Sequence, residues 1–304
     1  MQDKLHKTVL IVGCGYIGRR VVRLLPASQY HVTGCVRRSE SAGLLEESGV
    51  NTLVVNLDQS EQPGNWATGY EAVFYFVPPP AAGRRDTRMR NFLRVLDKED
   101  APRRIVYIST SAVYGDCGGA WITEAQELKP TTERGYRRLD AERQLTAWCQ
   151  AHKTQWIILR VPGIYGPGKL PFARLRKGTP VLREEDAPYT NRIHADDLAT
   201  ICIAAMSSNK SNTVYNVSDG HPGNMTDYFF RVADAAGLPR PPVVNREEAQ
   251  AVLSPGMLSF LQDSRRMSNR KLLAELDIVL LFPDLEAGLQ GCISQQGYLN
   301  QTDS

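Results

Sequence analysis

The stretch VLIVGCGYIGRRVV (9–22) places Gly13, Gly15 and Gly18 in the spacing G-x-G-x-x-G. Glycines so spaced, after an apolar run and at the start of a helical one, suit a pyrophosphate. Gly13 permits a tight turn. Gly15 lets the backbone approach the phosphates, where Tyr16 and Ile17 open a helix with its N–H groups forward. Gly18 lets that helix pack close to the strand. About twenty residues on, a site that grips an unmodified ribose carries an acid at the end of the second strand. Here TGCVRRSE (33–40) puts Arg37 and Arg38 in that place. Guanidiniums suit a 2′-phosphate, so NADP(H) is the expected cofactor, with Glu40 close enough to keep NAD(H) open.

Other charged residues point the same way. Arginines cluster in GRRDTRMRNFLR (83–94) and in ERGYRRLDAER (133–143). Further along, Arg174, Arg183 and Arg192 could line a pocket for a small anionic substrate. His194 has the one side chain whose ordinary pKa, about 6.5, suits acid/base work near neutrality. Asp196 or Asp197 is expected to cap the helix that follows it. The net charge is only +3 and no aromatic-interleaved basic patch occurs, which argues against nucleic acid. The six cysteines show neither CxxC nor CxH spacing, so neither a metal site nor a disulfide framework is expected. No apolar run of about 18 residues occurs, and the first residues lack a secretory pattern. The expectation is a cytoplasmic protein, a monomer or a homodimer, without a membrane segment.

The elements that must hold these residues alternate along the chain. Strand-like runs fall at 8–12, 30–36, 50–57, 71–78, 104–110, 155–161 and 213–218. Helical patterns fall at 16–26, 39–48, 84–98, 134–152, 225–236 and 268–276. Strands rich in Val, Ile and Leu along their whole length, separated by helices, predict a parallel sheet covered on both faces. Beyond residue 163 glycine and proline loosen the pattern, and the tail after about residue 292 is expected to fray.

Taken with the glycine turn, ISTSAVYGD (108–116), LRVPGIYGPG (159–168), NRIHADDLA (191–199), VYNVSDG (214–220) and SNRKLLAEL (268–276) resemble the short-chain dehydrogenase/reductase superfamily. The branch is the extended epimerase/dehydratase type, and the likeness runs over roughly residues 8 to 290. It implies an α/β fold: a Rossmann-type doubly wound sheet over 1–163, with a smaller substrate lobe over 164–304. It also implies contacts from Val77 and Pro78 to the cofactor, and from Val161, Pro162 and Ile164 to its nicotinamide. Asp58 and Ser109 join the expected cofactor set. The family's catalytic Ser/Thr falls on Thr110, four residues before Tyr114, with Ser111 beside it toward the substrate.

The family's catalytic Tyr and Lys, four residues apart on a helix, do not align simply. Registering on Pro130 and Glu142 puts Arg134 in the Tyr place and Arg138 in the Lys place. Tyr136 then lies about 200° around the helix, and Asp140, four residues later, would raise its pKa. An arginine does not give up its proton near neutral pH. The resemblance is therefore to an atypical branch without the Tyr/Lys pair. Arg138 would hold the ribose, and the proton donor is water, Tyr136 or another group. Three readings stay open: an NADP(H)-dependent oxidoreductase or epimerase on a small carbonyl or nucleotide-sugar-like substrate, a nucleotide-binding sensor without turnover, or an ordinary Tyr/Lys epimerase in an unexpected register.

Overall fold

The computed structural model describes residues 6–47, 49–61, 64, 66–96 and 100–301. Seven strands form one parallel sheet: β1 (Lys7–Val12), β2 (Tyr30–Val36), β3 (Asn51–Val54), β4 (Ala72–Tyr75), β5 (Arg104–Thr110), β6 (Gln155–Val161) and β7 (Thr213–Asn216). Their order is β7-β6-β5-β4-β1-β2-β3. Every register is parallel, as in Val9↔Val32 between β1 and β2 and Ile11↔Phe74 between β1 and β4. The order reverses between β1 and β4. This opens a crevice beyond the carboxyl ends of these two strands, where such sheets bind ligands.

The strands are apolar throughout because both faces are covered. Val9 and Ile11 of β1 enter a core shared with α1 (Tyr16–Leu24), α2 (Ser39–Glu46) and, later in the chain, α5 (Ala195–Ser207). Leu10 and Val12 enter a second core against α3 (Thr87–Val95) and α4 (Glu133–His152). Alternate side chains of one strand thus feed two helix layers. Part of the expected helix over 84–98, and the end of that over 39–48, fall outside the described residues.

The chain beyond residue 163 is interleaved with the sheet. Helix α5 packs on α1, and β7 joins the sheet edge beside β6. The smaller lobe is built from α6 (Met225–Ala235), α7 (Arg246–Val252), α8 (Pro255–Phe260) and, after α9 (Arg270–Leu276) has packed back on β7 and α5, from α10 (Leu285–Gln301). Its core joins Tyr165, Leu175, Phe229, Val232 and Leu289. Short pairings tie lobe to sheet, among them Gly163–Tyr165 with Arg192–His194. The tail expected to fray after residue 292 is instead the second half of α10, which is helical to Gln301. Among the described residues, no helix is long and apolar enough to cross a membrane.

Candidate functional site

A cleft of about 750 Å³ opens at the switch point. Its floor is the glycine turn, and each glycine has its own reason. Gly13 has φ +89°, and a Cβ there would lie 2.9 Å from the Val77 nitrogen. A Cβ on Gly18 would lie 3.1 Å from Ile11 Cγ2 and 3.2 Å from Cys14 Sγ, tighter than ordinary contact, so a side chain there would press on the strand and the turn. At Gly15 a Cβ would meet only the Gly13 carbonyl, at 4.0 Å; it would point into the open cleft. Helix α1 starts at that point with no side-chain cap and no acid in its first turn. By contrast α3, α4, α6, α7 and α8 are all capped by side chains. The N–H groups and positive end of α1 are thus left for an anion, and the space above Gly15 fits a pyrophosphate.

The cleft walls carry Tyr16, Ile17, Arg37, Val77, Pro78, Arg138 and Ile164 from the expected set. They also carry Arg19, Ser41, Asn56, Arg88 and Lys169, which sequence reasoning passed over. Arg19 was visible as the last residue of the glycine-turn helix start, and Lys169 as the cation ending GPGK. Arg88 belongs to the arginine cluster 83–94, but nothing local set it apart from its neighbours. No carboxylate lines the cleft among the described residues. Arg37, just past the end of β2, and Arg19, on α1, both line the cleft. Asp58 is gripped by Arg88 at 2.6 and 2.8 Å and also lies 3.9 Å from Arg37 Nη1, while Arg88 donates to the Pro78 carbonyl at 2.9 Å. Those bonds hold the Asp58 carboxyl below its usual range. Arg38 stands at the N-cap position of α2 without a capping bond, its side chain exposed on the surface.

Helix α4 comes close to the end of β5 because residue 135 is glycine: a Cβ there would lie 2.6 Å from the Ala112 carbonyl. This approach sets which residues face inward. Arg138 reaches the cleft and donates from Nη1 to the Ile108 carbonyl and the Tyr107 hydroxyl, both at 3.1 Å. Arg134 leaves for the smaller lobe, with its guanidinium 4.0 Å from the Phe260 ring centre. Tyr136 lies under Arg84, 4.6 Å from guanidinium to ring centre, and does not line the cleft. The helical rotation between positions 136 and 138 separates the two.

Other expected residues are also placed elsewhere. Ser109 points its hydroxyl away from the cleft, donating to Glu142 Oε1 at 2.5 Å. Glu142 in turn holds Arg160 at 2.8 Å, Arg160 donates to the Tyr114 hydroxyl at 3.0 Å, and Tyr114 donates to Asn216 Oδ1 at 2.6 Å. All of these side chains are buried. Thr110 caps the turn Ser111–Tyr114, accepting from the Ala112 nitrogen at 3.4 Å, and Ser111 lies buried behind it. Val161 is buried at the end of β6, with Pro162 after it. Arg183 is exposed.

His194 is 1% exposed and works as a structural cap. Its Nδ1 accepts from the Asp196 nitrogen at 3.3 Å, so it, and not Asp196 or Asp197, is the N-cap of α5. With Nδ1 accepting, Nε2 carries the hydrogen and faces Cys292 Sγ at 3.5 Å. Burial pulls the His194 pKa down to about 4, leaving it neutral at neutral pH. Asp196 pairs with Arg20 at 2.6 Å, and Asp197 accepts the Leu281 and Phe282 nitrogens at 2.7 and 3.0 Å. Arg174 and Arg192 line a separate pocket in the smaller lobe.

With this geometry in place, the comparisons are decisive for the family. Residues 9–218 match the NAD dependent epimerase/dehydratase family. The chain belongs to that family. A structure of a functionally unknown conserved protein from Silicibacter pomeroyi DSS is 30% identical, with a TM-score of 0.82 over 95% of this chain and 99% of that one. A 2′-dehydrokanamycin reductase from Streptomyces kanamyceticus is 28% identical over 80% of this chain and 70% of its own length. A UDP-glucuronic acid 4-epimerase from Bacillus cereus, solved in complex with NAD, shares the fold at 17% identity and a TM-score of 0.75, over 95% and 99% of the two chains. This epimerase/dehydratase family member thus has the Rossmann-type fold and the nucleotide-binding turn, while Arg134 and Arg138 stand where the register places the Tyr/Lys pair.

Proposed function

We propose that this chain binds NADP(H) in the cleft and acts as an oxidoreductase on a small carbonyl or alcohol, without a Tyr/Lys proton relay. One observation carries the cofactor choice: Arg37 and Arg19 line the ribose end of the cleft, and no carboxylate lines it among the described residues. When bound, the nicotinamide supplies or accepts hydride. The protein's part is to bind and orient. The α1 N-terminus faces the pyrophosphate. Arg37 and Arg19 neutralise the 2′-phosphate. Arg138, fixed by the Ile108 carbonyl and the Tyr107 hydroxyl, presents a permanent positive charge to the inner ribose. Tyr16 is not a free acid in this cleft, since its hydroxyl donates to the Pro167 carbonyl at 2.9 Å. The proton donor is therefore a group other than a lysine-activated tyrosine.

A second reading, a nicotinamide-binding protein without turnover, is favoured by the same lack of a lysine-activated tyrosine. Fluorescence titration with NADPH and NADH tests the first step. NADPH binds more tightly than NADH, and Arg37→Ala weakens NADPH by about tenfold to a hundredfold, the scale of a charge-assisted hydrogen bond, with NADH changed less than about twofold. Equal losses for both nucleotides defeat the 2′-phosphate assignment. Tight binding with no oxidation of NADPH across a panel of carbonyls selects the second reading.

A further inference from the structure

The smaller lobe contains a second cavity of about 240 Å³. Most of its wall is apolar, contributed by residues such as Tyr228, Phe229, Met257 and Phe260, yet two guanidiniums, those of Arg174 and Arg192, also line it. Both arginines are half-buried, and cations withdrawn from water are ordinarily paired with carboxylates. Neither arginine has an ion pair among the described residues, and no acidic side chain lines the cavity. Arg192 lies over the Tyr228 ring at 3.9 Å, and Arg174 over the Phe229 ring at 4.3 Å. Arg174 donates to the Pro180 carbonyl at 3.0 Å, and Arg192 has one long contact to the Asn191 carbonyl at 3.5 Å. In both, the Nε–H is buried and has no acceptor. The rings orient the guanidiniums but do not neutralise them.

The cavity and the cofactor cleft share no lining residue, but two contacts run between them. Arg192 packs against Gly163, where any side chain would collide with its Nη1, and the next residue, Ile164, lines the cleft. Phe260 forms part of the cavity wall and carries Arg134 on its ring, one helical turn before Arg138 of the cleft.

We infer that this cavity is the substrate subsite and that it takes a small molecule with a carboxylate at one end and an apolar body. The planar guanidinium fork matches a carboxylate. The aromatic and methionine side chains match the body. The volume lies below the range of about 300–1,000 Å³ that holds drug-sized ligands, so the cavity by itself suits a small acid and does not enclose a whole nucleotide sugar, with its base, two sugars and two phosphates. This deepens the oxidoreductase reading and rests on it for the word substrate; the binding itself does not.

Calorimetric titration of the full-length protein, loaded with NADPH, tests it with 3-phenylpropanoate and its uncharged amide as probes. The acid binds at least about tenfold more tightly than the amide. Arg192→Gln abolishes that preference, Arg192→Lys restores part of it, and NADPH affinity is unchanged in both. Equal affinity for acid and amide, or no saturable binding of either, overturns the inference, as does UDP-glucose displacing the probe more effectively than a second carboxylate. Phenyl phosphate binding more tightly than the carboxylate overturns the choice of anion. Should Arg192→Gln fail to fold, the acid and amide comparison in the unaltered protein decides alone. NADPH titration in the absence of probe separates these outcomes from failure of the cofactor assignment.

Discussion

At the scale of single residues, chemistry that looks alike in sequence is divided by burial. His194 and Tyr136 both present acid/base side chains, and the fold uses both structurally. His194 carries a definite pH signature. Its pKa is about 6.5 when exposed and is pulled down to about 4 by burial. Between these values the unfolded chain binds a proton that the native chain does not, so stability contributed by this group is full above pH 6.5 and is lost as pH falls toward 4. After allowance for partial solvent screening this amounts to about 2 kcal/mol. Asp219, pushed up to about 6 by burial, titrates with the opposite sign over an overlapping range. The His194 contribution is therefore read as a difference. His194→Asn, which keeps a capping acceptor, has a smaller loss of denaturant midpoint from pH 7 to pH 4.5 than the unaltered protein. Parallel pH curves for the two proteins contradict the buried, neutral assignment.

At the scale of elements, the start of α1 separates binding from stability within one motif. The space at Gly15 is open and the space at Gly18 is filled. Gly15→Ala thus puts a methyl group where the pyrophosphate would lie: NADPH affinity falls by at least about tenfold, with little change in melting temperature. Gly18→Ala forces helix and strand apart and lowers the melting temperature by several degrees through overpacking. Thermal unfolding and nucleotide titration on both variants check the contrast, and a reversed pattern rejects it. Both roles were legible in the sequence, because glycine spacing after a strand is a local signal. The other wall of the cleft was less so. That α4 carries Arg138 inward could be read from its spacing to Pro130 and Glu142. Its seat against the Ala112 carbonyl, made possible by Gly135, could not.

At the scale of the molecule, a buried polar chain ties three strands of the sheet to α4. Ser109 on β5, Glu142 on α4, Arg160 on β6, Tyr114 after β5 and Asn216 on β7 are joined in sequence of contact. The Glu142 and Arg160 side chains are 6% and 5% exposed, so removing one charge strands the other. Glu142→Gln is expected to cost about 3–5 kcal/mol and to lower the melting temperature by roughly 10 °C. Glu142 lies one turn beyond Arg138 on α4, so NADPH affinity falls as well. A melting temperature within about one degree of the unaltered protein dismisses the network as a support of the site.

The division between what was legible and what was not follows from range. Strand and helix alternation, the glycine turn and the arginines at the end of β2 are set by neighbours within a few positions, and the sequence by itself determined them. The burial of His194 beside Cys292, the diversion of Ser109 to Glu142, the grip of Arg88 on Asp58 and the meeting of Arg174 with Arg192 join residues from 18 to 98 positions apart. Only the tertiary structure decided these, because desolvation and charge pairing depend on which distant surfaces the packed sheet and its returning strand bring together.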